Sequence, residues 1–368
     1  MNYVISTDAC ADMPVGYEKE HDIPIVPMPY SLKMPKGTLK KLDFIGKANT
    51  EFDIVECRTD TTGFIQNMKK FFDTLRAGAI PKTSQSNAEI TFETLEPYVK
   101  AGKDVLHIAF SSGMSGSFNS ACIAATELME KYPGRTVKVV DSLGGVGGEG
   151  LCVMDAVKLR DEGVSIEDAH KKLTEYAPRY HHYFTVGDKA YLARSGRISG
   201  IEYMFATLLN IQIILGLDGE GKVYPAAKVR GTKNVYKKFL ELFETEKGDE
   251  DNSEIILCHG DNPDGIKLLG EMMTEKFPEI KKIDYNYVNQ MVGSNSGPDS
   301  LALFFHDVVV VLLYVLVKFL VIGLGDHITI QVFCELVGHL IQLGGFFATA
   351  GDDQRGTGFV DEDGVHFV

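Results

Sequence analysis

Val105-Leu106-His107-Ile108-Ala109-Phe110-Ser111-Ser112-Gly113-Met114-Ser115-Gly116-Ser117 is the stretch on which the reading of this chain turns. The apolar run Val105 to Phe110 has the length and composition of a buried strand, and the serine and glycine cluster behind it is a turn. A helix is expected to start near Gly116, with Ala121, Ile123, Ala124, Leu128 and Met129 as its apolar face. Strand, turn and helix in that order form half of a βαβ unit. A second hydroxyl-rich turn, Thr83-Ser84-Gln85-Ser86, lies one helix and one strand upstream, so both turns are expected at the same end of an α/β sheet. Ser86 followed three residues later by Glu89 matches a capping box, which makes the first turn run into a helix N-terminus. Helix N-termini carry orphan N–H groups and stabilise anions. Seven small hydroxyl residues and two glycines in the two turns offer neutral donors suited to a carboxylate or phosphate. Either turn alone is also explained by serine and threonine being good caps.

The chain has 368 residues, 44% apolar and 24% charged, enough for two compact domains and an extension with a substantial core. A formal net charge of −14 repels phosphate backbones and anionic lipid, so nucleic acid is not an expected partner and membrane contact is at most transient. The six cysteines, Cys10, Cys57, Cys122, Cys152, Cys258 and Cys334, include no Cys-x-x-Cys pair and read as buried thiols in a reducing compartment. The first ten residues go straight into a short strand rather than a signal peptide, and a cytoplasmic protein is expected.

Short apolar runs alternate with amphipathic stretches along the first half, the pattern of a mainly parallel sheet. Tyr3 to Ile5, Pro24 to Met28, Val105 to Phe110 and Val137 to Val140 read as strands, and the join to a second α/β domain is placed near Gly163-Val164-Ser165. In the second half, His181–Val186, Ile211–Leu215, Val223–Ala227, Ile255–His259 and Ile283–Val288 read as strands. Thr232–Glu246 and Pro263–Lys276 read as helices, Tyr191 to Ser199 as a helix end and loop, and Gly293 to Pro298 as a loop. Two basic loops, Arg194-Ser195-Gly196-Arg197 and Lys228-Val229-Arg230-Gly231, are candidate contacts for an anion or a partner, with surface ion pairing as the plainer explanation.

Gly145-Val146-Gly147-Gly148-Glu149-Gly150 fits the dinucleotide pattern, and a nicotinamide- or flavin-dependent oxidoreductase is the alternative it supports. The preceding strand ends too early, however, and the later acidic residues fall in helical or turn segments, so a close-packed turn is the other reading. A serine hydrolase would use Ser112 or Ser115, but Gly113 to Ser117 departs from the nucleophile elbow at its fifth residue, and His107 sits in an apolar strand where a structural role is expected.

Ser6-Thr7-Asp8, Thr83-Ser84-Gln85, Ser111 to Ser117, Val140-Asp141-Ser142, Ser195-Gly196-Arg197-Ile198-Ser199, Lys228 to Gly231 and Gly293-Ser294-Asn295-Ser296-Gly297-Pro298 occur in the order found in the DegV family of fatty-acid-binding proteins. From about Asn2 to Phe305 the chain resembles that family. The resemblance implies two α/β domains, residues 1–164 with a mainly parallel sheet and residues 165–306, with a ligand tunnel between them. It further implies a carrier rather than an enzyme, which binds a long-chain fatty acid such as palmitate and presents its carboxylate to a fatty acid kinase. No cofactor or metal is implied. Thr83, Ser84, Ser112, Ser115 and Gly116 are carried over as carboxylate contacts. Asn295 joins them at a position where the family usually has histidine, and it donates a hydrogen bond but cannot shuttle a proton. Arg194, Arg197 and Arg230 are carried over as candidate partner or phosphate contacts. Ser31 to Phe52 departs from the family pattern and reads as a surface insertion.

The tail, residues 307–368, lies beyond the resemblance. Val308 to Leu324 is apolar apart from Lys318 and Gly323, which leaves three readings: an added structural element, a membrane-associated tail, or a shifted reading frame. His327, Cys334, Glu335 and His339 are too loosely spaced to read as a metal site.

Overall fold

The structure is a computed structural model that describes residues 3–37, 47–48, 51–60, 67–198, 211–248 and 252–306. The tail readings, Ser199 and part of the 31–52 segment lie outside the described residues. Met1–Val310 forms one compact unit.

Three sheets organise it. The first is parallel, in the order β2 (Ile25–Val26), β1 (Tyr3–Asp8), β7 (Asp104–Ala109) and β8 (Val137–Asp141). Its central strands are buried on both faces, as strands covered by helices on either side must be. The second has six strands in the order β11 (Val223–Arg230), β10 (Ile211–Leu217), β9 (Tyr180–Phe184), β14 (Leu301–His306), β12 (Glu254–His259) and β13 (Lys282–Tyr287). Only β12 and β13 in it run parallel. The third is antiparallel: β4 (Lys47–Ala48), β5 (Phe52–Arg58), β3 (Pro29–Pro35) and β6 (Ile80–Thr83).

That third sheet corrects the surface-insertion reading. β3 is a central strand, with Tyr30, Leu32 and Met34 buried on one face and Lys33 exposed on the other. β5 repeats the alternation with Asp53, Val55 and Cys57, and the shared face packs on Phe71, Phe72 and Leu75 of helix α2 (Met68–Arg76). Helix α1 (Tyr17–Glu20) is a single turn.

Helix α3 (Ala88–Lys100) is capped by Asn87, whose Oδ1 accepts from Ile90 N at 2.9 Å, rather than by the predicted Ser86–Glu89 box. Ser86 is buried and its hydroxyl faces Thr91 Oγ1 instead. Helix α4 (Ser117–Lys131) starts after Gly116 as expected, but its buried face is Ser117, Ser120, Ala121, Ala124, Ala125 and Leu128. Ile123 and Met129 are exposed, because small residues are needed where α4 lies close against its neighbours.

Helix α5 (Val146–Asp161) holds the unit together, packing on β1 and β7 of the first sheet and on β9, β12 and β14 of the second. Its glycines make this possible: a Cβ on Gly147 would lie 2.5 Å from Phe304 Cδ2 and 2.7 Å from Ile256 Cγ2. One on Gly148 would lie 2.0 Å from His182 Nε2. The glycine run is therefore a close-packed helix start rather than the expected turn, and side chains and backbone fill the space a dinucleotide would need. Helix α6 (Ile166–Tyr176) packs on β7 and β8, and a 3-10 turn (Ala177–Arg179) leads into β9. Beyond it come α7 (Lys189–Ser195), α8 (Thr232–Glu246), α9 (Pro263–Lys276) and α10 (Gln290–Ser296). The last replaces the expected Gly293–Pro298 loop: Asn289 caps it through Val292 N at 2.9 Å, and a Cβ on Gly293 would lie 3.0 Å from Phe72 Cζ. Lys228 and Arg230 likewise belong to strand β11 rather than to a loop.

Candidate functional site

The two hydroxyl-rich turns do converge, but from different sheets. Thr83 is the last residue of β6 in the antiparallel sheet, paired with Tyr30, whereas Ser111 to Ser117 leaves β7 in the parallel sheet. They are joined by Gln85, whose Nε2 donates to Ser120 Oγ at 3.1 Å and whose side chain fills the space beside Gly116.

The second turn is fixed from below. Asp8, at the end of β1, accepts from Cys10 N at 2.8 Å and Phe110 N at 2.9 Å, and so ties the exits of β1 and β7 together. Ser111 is fully buried and donates to Gly221 O at 2.9 Å, which docks the β10–β11 hairpin onto the turn. Ser112 N donates to Asp141 Oδ1 at 3.1 Å. Ser115 Oγ lies 2.9 Å from Ser117 Oγ and accepts from Ser117 N at 3.2 Å, capping the α4 N-terminus that Gly116 leaves without a side-chain cap.

Between these turns, α7 and α10 lies a cavity of about 90 Å³. Thr83, Ser84, Gln85, Ser115, Asn295 and Arg197 line its polar side. Ser112 and Gly116 are not on its wall; Ser112 is exposed. Asn295 is in the last turn of α10, where its Nδ2 donates to Met291 O at 2.8 Å. Arg194 lies with its guanidinium 4.7 Å from the Tyr191 ring, and Arg230 is exposed at the end of β11; neither lines the cavity. The opposite wall is apolar, built from Met28, Phe110, Met114, Phe184, Leu192 and Met291. Gln85, Ser195, Ser296 and these methionines are lining residues that the sequence reading did not single out as contacts. Gln85 stood in a quoted motif, but scattered methionines carry no local signal.

A second cavity, about 70 Å³, shares Phe110, Met114, Phe184, Val292 and Ser296 with the first and continues past Val146, Leu217 and Phe304. The two cavities thus have five wall residues in common. Val146 is held at φ 57°, unfavourable for a β-branched residue, by hydrogen bonds from Val146 N to Cys10 O at 2.8 Å and from Asp12 N to Val146 O at 3.0 Å.

The titratable groups around the cavities are engaged in the fold. His182, on the wall of the second cavity, faces Tyr180 O through Nδ1 at 2.7 Å and accepts from Gly145 N through Nε2 at 3.3 Å, the pattern of a neutral ring. Burial pulls it down to about 4. Burial also pulls His107 down to about 4, and its Nδ1 meets Ser6 Oγ at 3.0 Å, in keeping with a structural histidine. Glu149 and Asp8 are buried side by side, and burial raises both. Thr7 Oγ1 donates to Glu149 Oε1 at 3.0 Å. Ser115 is engaged with Ser117 rather than with a histidine, which gives the hydrolase reading no support.

A larger cavity, about 810 Å³, lies elsewhere, along the C-terminal half of α5 and α6. Its wall mixes apolar side chains such as Val15, Leu151, Met154 and Leu159 with charged ones, some of them paired: Lys282 bridges Glu254 and Asp284, and Asp155 accepts from Tyr180 OH at 2.8 Å and faces His306 Nε2 at 3.2 Å.

Among the described residues no helix is long and apolar enough to cross a membrane, and no cluster of histidine, cysteine and carboxylate side chains could hold a metal ion. All five described cysteines are free, and four of them are buried.

Comparison with known proteins adds a family. A model described as an uncharacterised protein of the DegV family matches residues 61–307. A DegV domain-containing protein of Clostridium perfringens is 33% identical over 309 residues, covering 82% of this chain and 97% of that one. Among solved structures, a Thermotoga maritima protein described as revealing a fatty acid binding function is 25% identical with a TM-score of 0.66, covering 84% of this chain and all, 100%, of that one. A DegV lipid-binding protein from the same organism has the same identity, 25%, and the same TM-score, 0.66, over 84% of this chain and 99% of its own. None of the comparisons points to a dinucleotide enzyme, and with the glycine run packed into α5 the oxidoreductase alternative is withdrawn.

Proposed function

This chain belongs to the DegV family, and on that premise we propose that it is a carrier that buries the acyl chain of a long-chain fatty acid and holds its carboxylate at Thr83, Ser84 and Ser115. The observation that carries the reading is the cavity whose mouth is lined by hydroxyl and amide side chains and whose continuation is apolar. The two cavities join into one tunnel, running between domains 1–164 and 165–306, when the acyl chain enters. Acyl burial supplies most of the affinity, at roughly 0.8 kcal/mol per methylene, on the order of 10 kcal/mol before association costs. Neutral donors then suffice for the head, provided that the ionised carboxylate is hydrogen-bonded.

The carboxylate at such a mouth is placed for a partner enzyme. In this reading a fatty acid kinase in the cytoplasm transfers the γ-phosphoryl of ATP to a carboxylate oxygen, giving an acyl phosphate and ADP. The carrier supplies no nucleophile or base of its own. Arg197, on the cavity wall, is suited to steady the added charge, and Arg194 and Arg230 are exposed for docking the kinase. The test is native mass spectrometry of the purified protein, followed by incubation of the loaded protein with a fatty acid kinase and ATP. One long-chain fatty acid per chain and kinase-dependent acyl phosphate support the proposal. A chain that takes up no fatty acid, even when supplied in excess, refutes it.

A further inference from the structure

Three methionines and a cysteine, Met28, Met114, Met291 and Cys10, stand on the wall of the first cavity, and Met114 also lines the second. The two cavities together fall short of the roughly 300 Å³ at which ligand pockets begin, so a long acyl chain enters only if wall side chains move. Most of the other apolar groups there resist: Phe110 and Phe184 are rigid rings, and Val223 and Val292 are stiff at χ1, which leaves Leu192, among the described residues, as the one other flexible aliphatic chain on that wall. A methionine has three rotatable side-chain bonds and refills irregular space at little cost. Met28 and Met291 are buried in the core, Met28 with its Sδ 3.4 Å from Cys10 Sγ, and Met114 is only partly buried at the boundary of the two cavities.

Resting on the fatty-acid reading above, we infer that Met28, Met114 and Met291 form a deformable wall that sets ligand class, so that this chain takes cis-unsaturated, bent long-chain fatty acids alongside straight saturated ones. Each chain shape is met by a different set of methionine rotamers, with the rigid aromatic groups and the hydroxyl mouth left in place. Flexible methionine-rich surfaces that repack around differently shaped partners are a general route to broad specificity.

The test loads the full-length protein from an equimolar mixture of a saturated and a cis-monounsaturated fatty acid of equal carbon number, and measures the bound ratio by mass spectrometry of the extracted lipid. Wild type is expected to hold the two in a ratio close to that of the loading mixture, as a repacking surface does. The volume-conserving triple variant Met28→Leu, Met114→Leu, Met291→Leu is expected to lose the bent chain by on the order of 10-fold, the discrimination a stiff apolar pocket shows for a misplaced methylene. Met114→Leu alone, at the partly buried boundary, should move the ratio the same way by less and guards against misfolding of the triple variant. In parallel, the 13C-methyl resonances of the three methionines should shift differently with the two ligands. An unchanged lipid ratio in variants that still bind lipid, or methyl resonances indifferent to chain shape, overturns the inference while leaving the carrier reading intact. A wild type that binds neither lipid overturns the carrier reading itself.

Discussion

Removing the hydroxyls at the mouth should weaken binding of a fatty acid far more than binding of the alcohol with the same chain. Thr83 and Ser115 lie on the polar side of the cavity, from two different sheets. A hydrogen bond to a charged group contributes about 1.5–3 kcal/mol, so loss of two in Thr83→Ala, Ser115→Ala should cost at least about 3 kcal/mol. At about 1.4 kcal/mol per decade this is on the order of 100-fold in Kd. The acyl contribution, about 0.8 kcal/mol per methylene, is untouched because the apolar wall is unchanged. A primary alcohol carries no charge at its head, and a neutral hydrogen bond contributes about 0.5–1.5 kcal/mol, so loss of both hydroxyls should cost it about 1–3 kcal/mol, roughly half the cost to the acid. Ser115→Ala also leaves Ser117 N without its 3.2 Å acceptor, which costs about 1 kcal/mol of stability and lowers Tm slightly. Thermal unfolding of the ligand-free variant therefore accompanies the assay, which is displacement of a fluorescent fatty acid by the acid and by the alcohol. Equal loss for both ligands, or no loss for the acid, would refute the reasoning.

Two further outcomes test the frame behind the site. Gly147→Ala puts a methyl 2.5 Å from Phe304 and 2.7 Å from Ile256, and overpacking of this kind should destabilise by about 1–3 kcal/mol, read as a lower midpoint in urea; an unchanged midpoint contradicts the packing of α5 between the two sheets. Asp12 accepts from Asn289 N and Nδ2, both at 3.0 Å, but burial raises it from 3.8 to about 7. Between those values the folded state binds more protons than the unfolded state, so this group's contribution to stability is lost as pH rises through about 7. Asp12→Asn should remove that loss, so the variant should gain stability relative to wild type as pH rises from 4 to 7 in urea titrations; a pH-independent difference would contradict the shift.

The strands of the parallel sheet and two helices, α8 and α9, were legible because long apolar or amphipathic runs are bounded by clear breakers. The third sheet was not read, because proline opens and closes β3 and its alternation covers only Tyr30, Leu32 and Met34. The capping box failed by one residue. Ser86 and Asn87 are comparable caps, and burial of Ser86 against Thr91 left the role to Asn87. The Gly293–Pro298 segment looked like a loop by composition, yet packing of Gly293 on Phe72 and capping by Asn289 make most of it helix α10. The glycine run at 145–150 shows how one pattern serves two ends: the close backbone approach that lets a phosphate in elsewhere here admits Phe304, Ile256 and His182. At the site, hydroxyl-rich turns were visible in sequence because their composition is local. The apolar wall was not, since Met28, Met114, Phe184 and Met291 come together only through three sheets and a helix.

The most direct measurement is a crystal structure of the protein loaded with a long-chain fatty acid that carries bromine on its terminal carbon. The account predicts carboxylate density within hydrogen-bond reach of Thr83 Oγ1 and Ser115 Oγ, and an anomalous bromine peak in the apolar continuation toward Phe304. Bromine at the hydroxyl mouth, or the lipid lying in the charged cleft along α5 and α6, would contradict it.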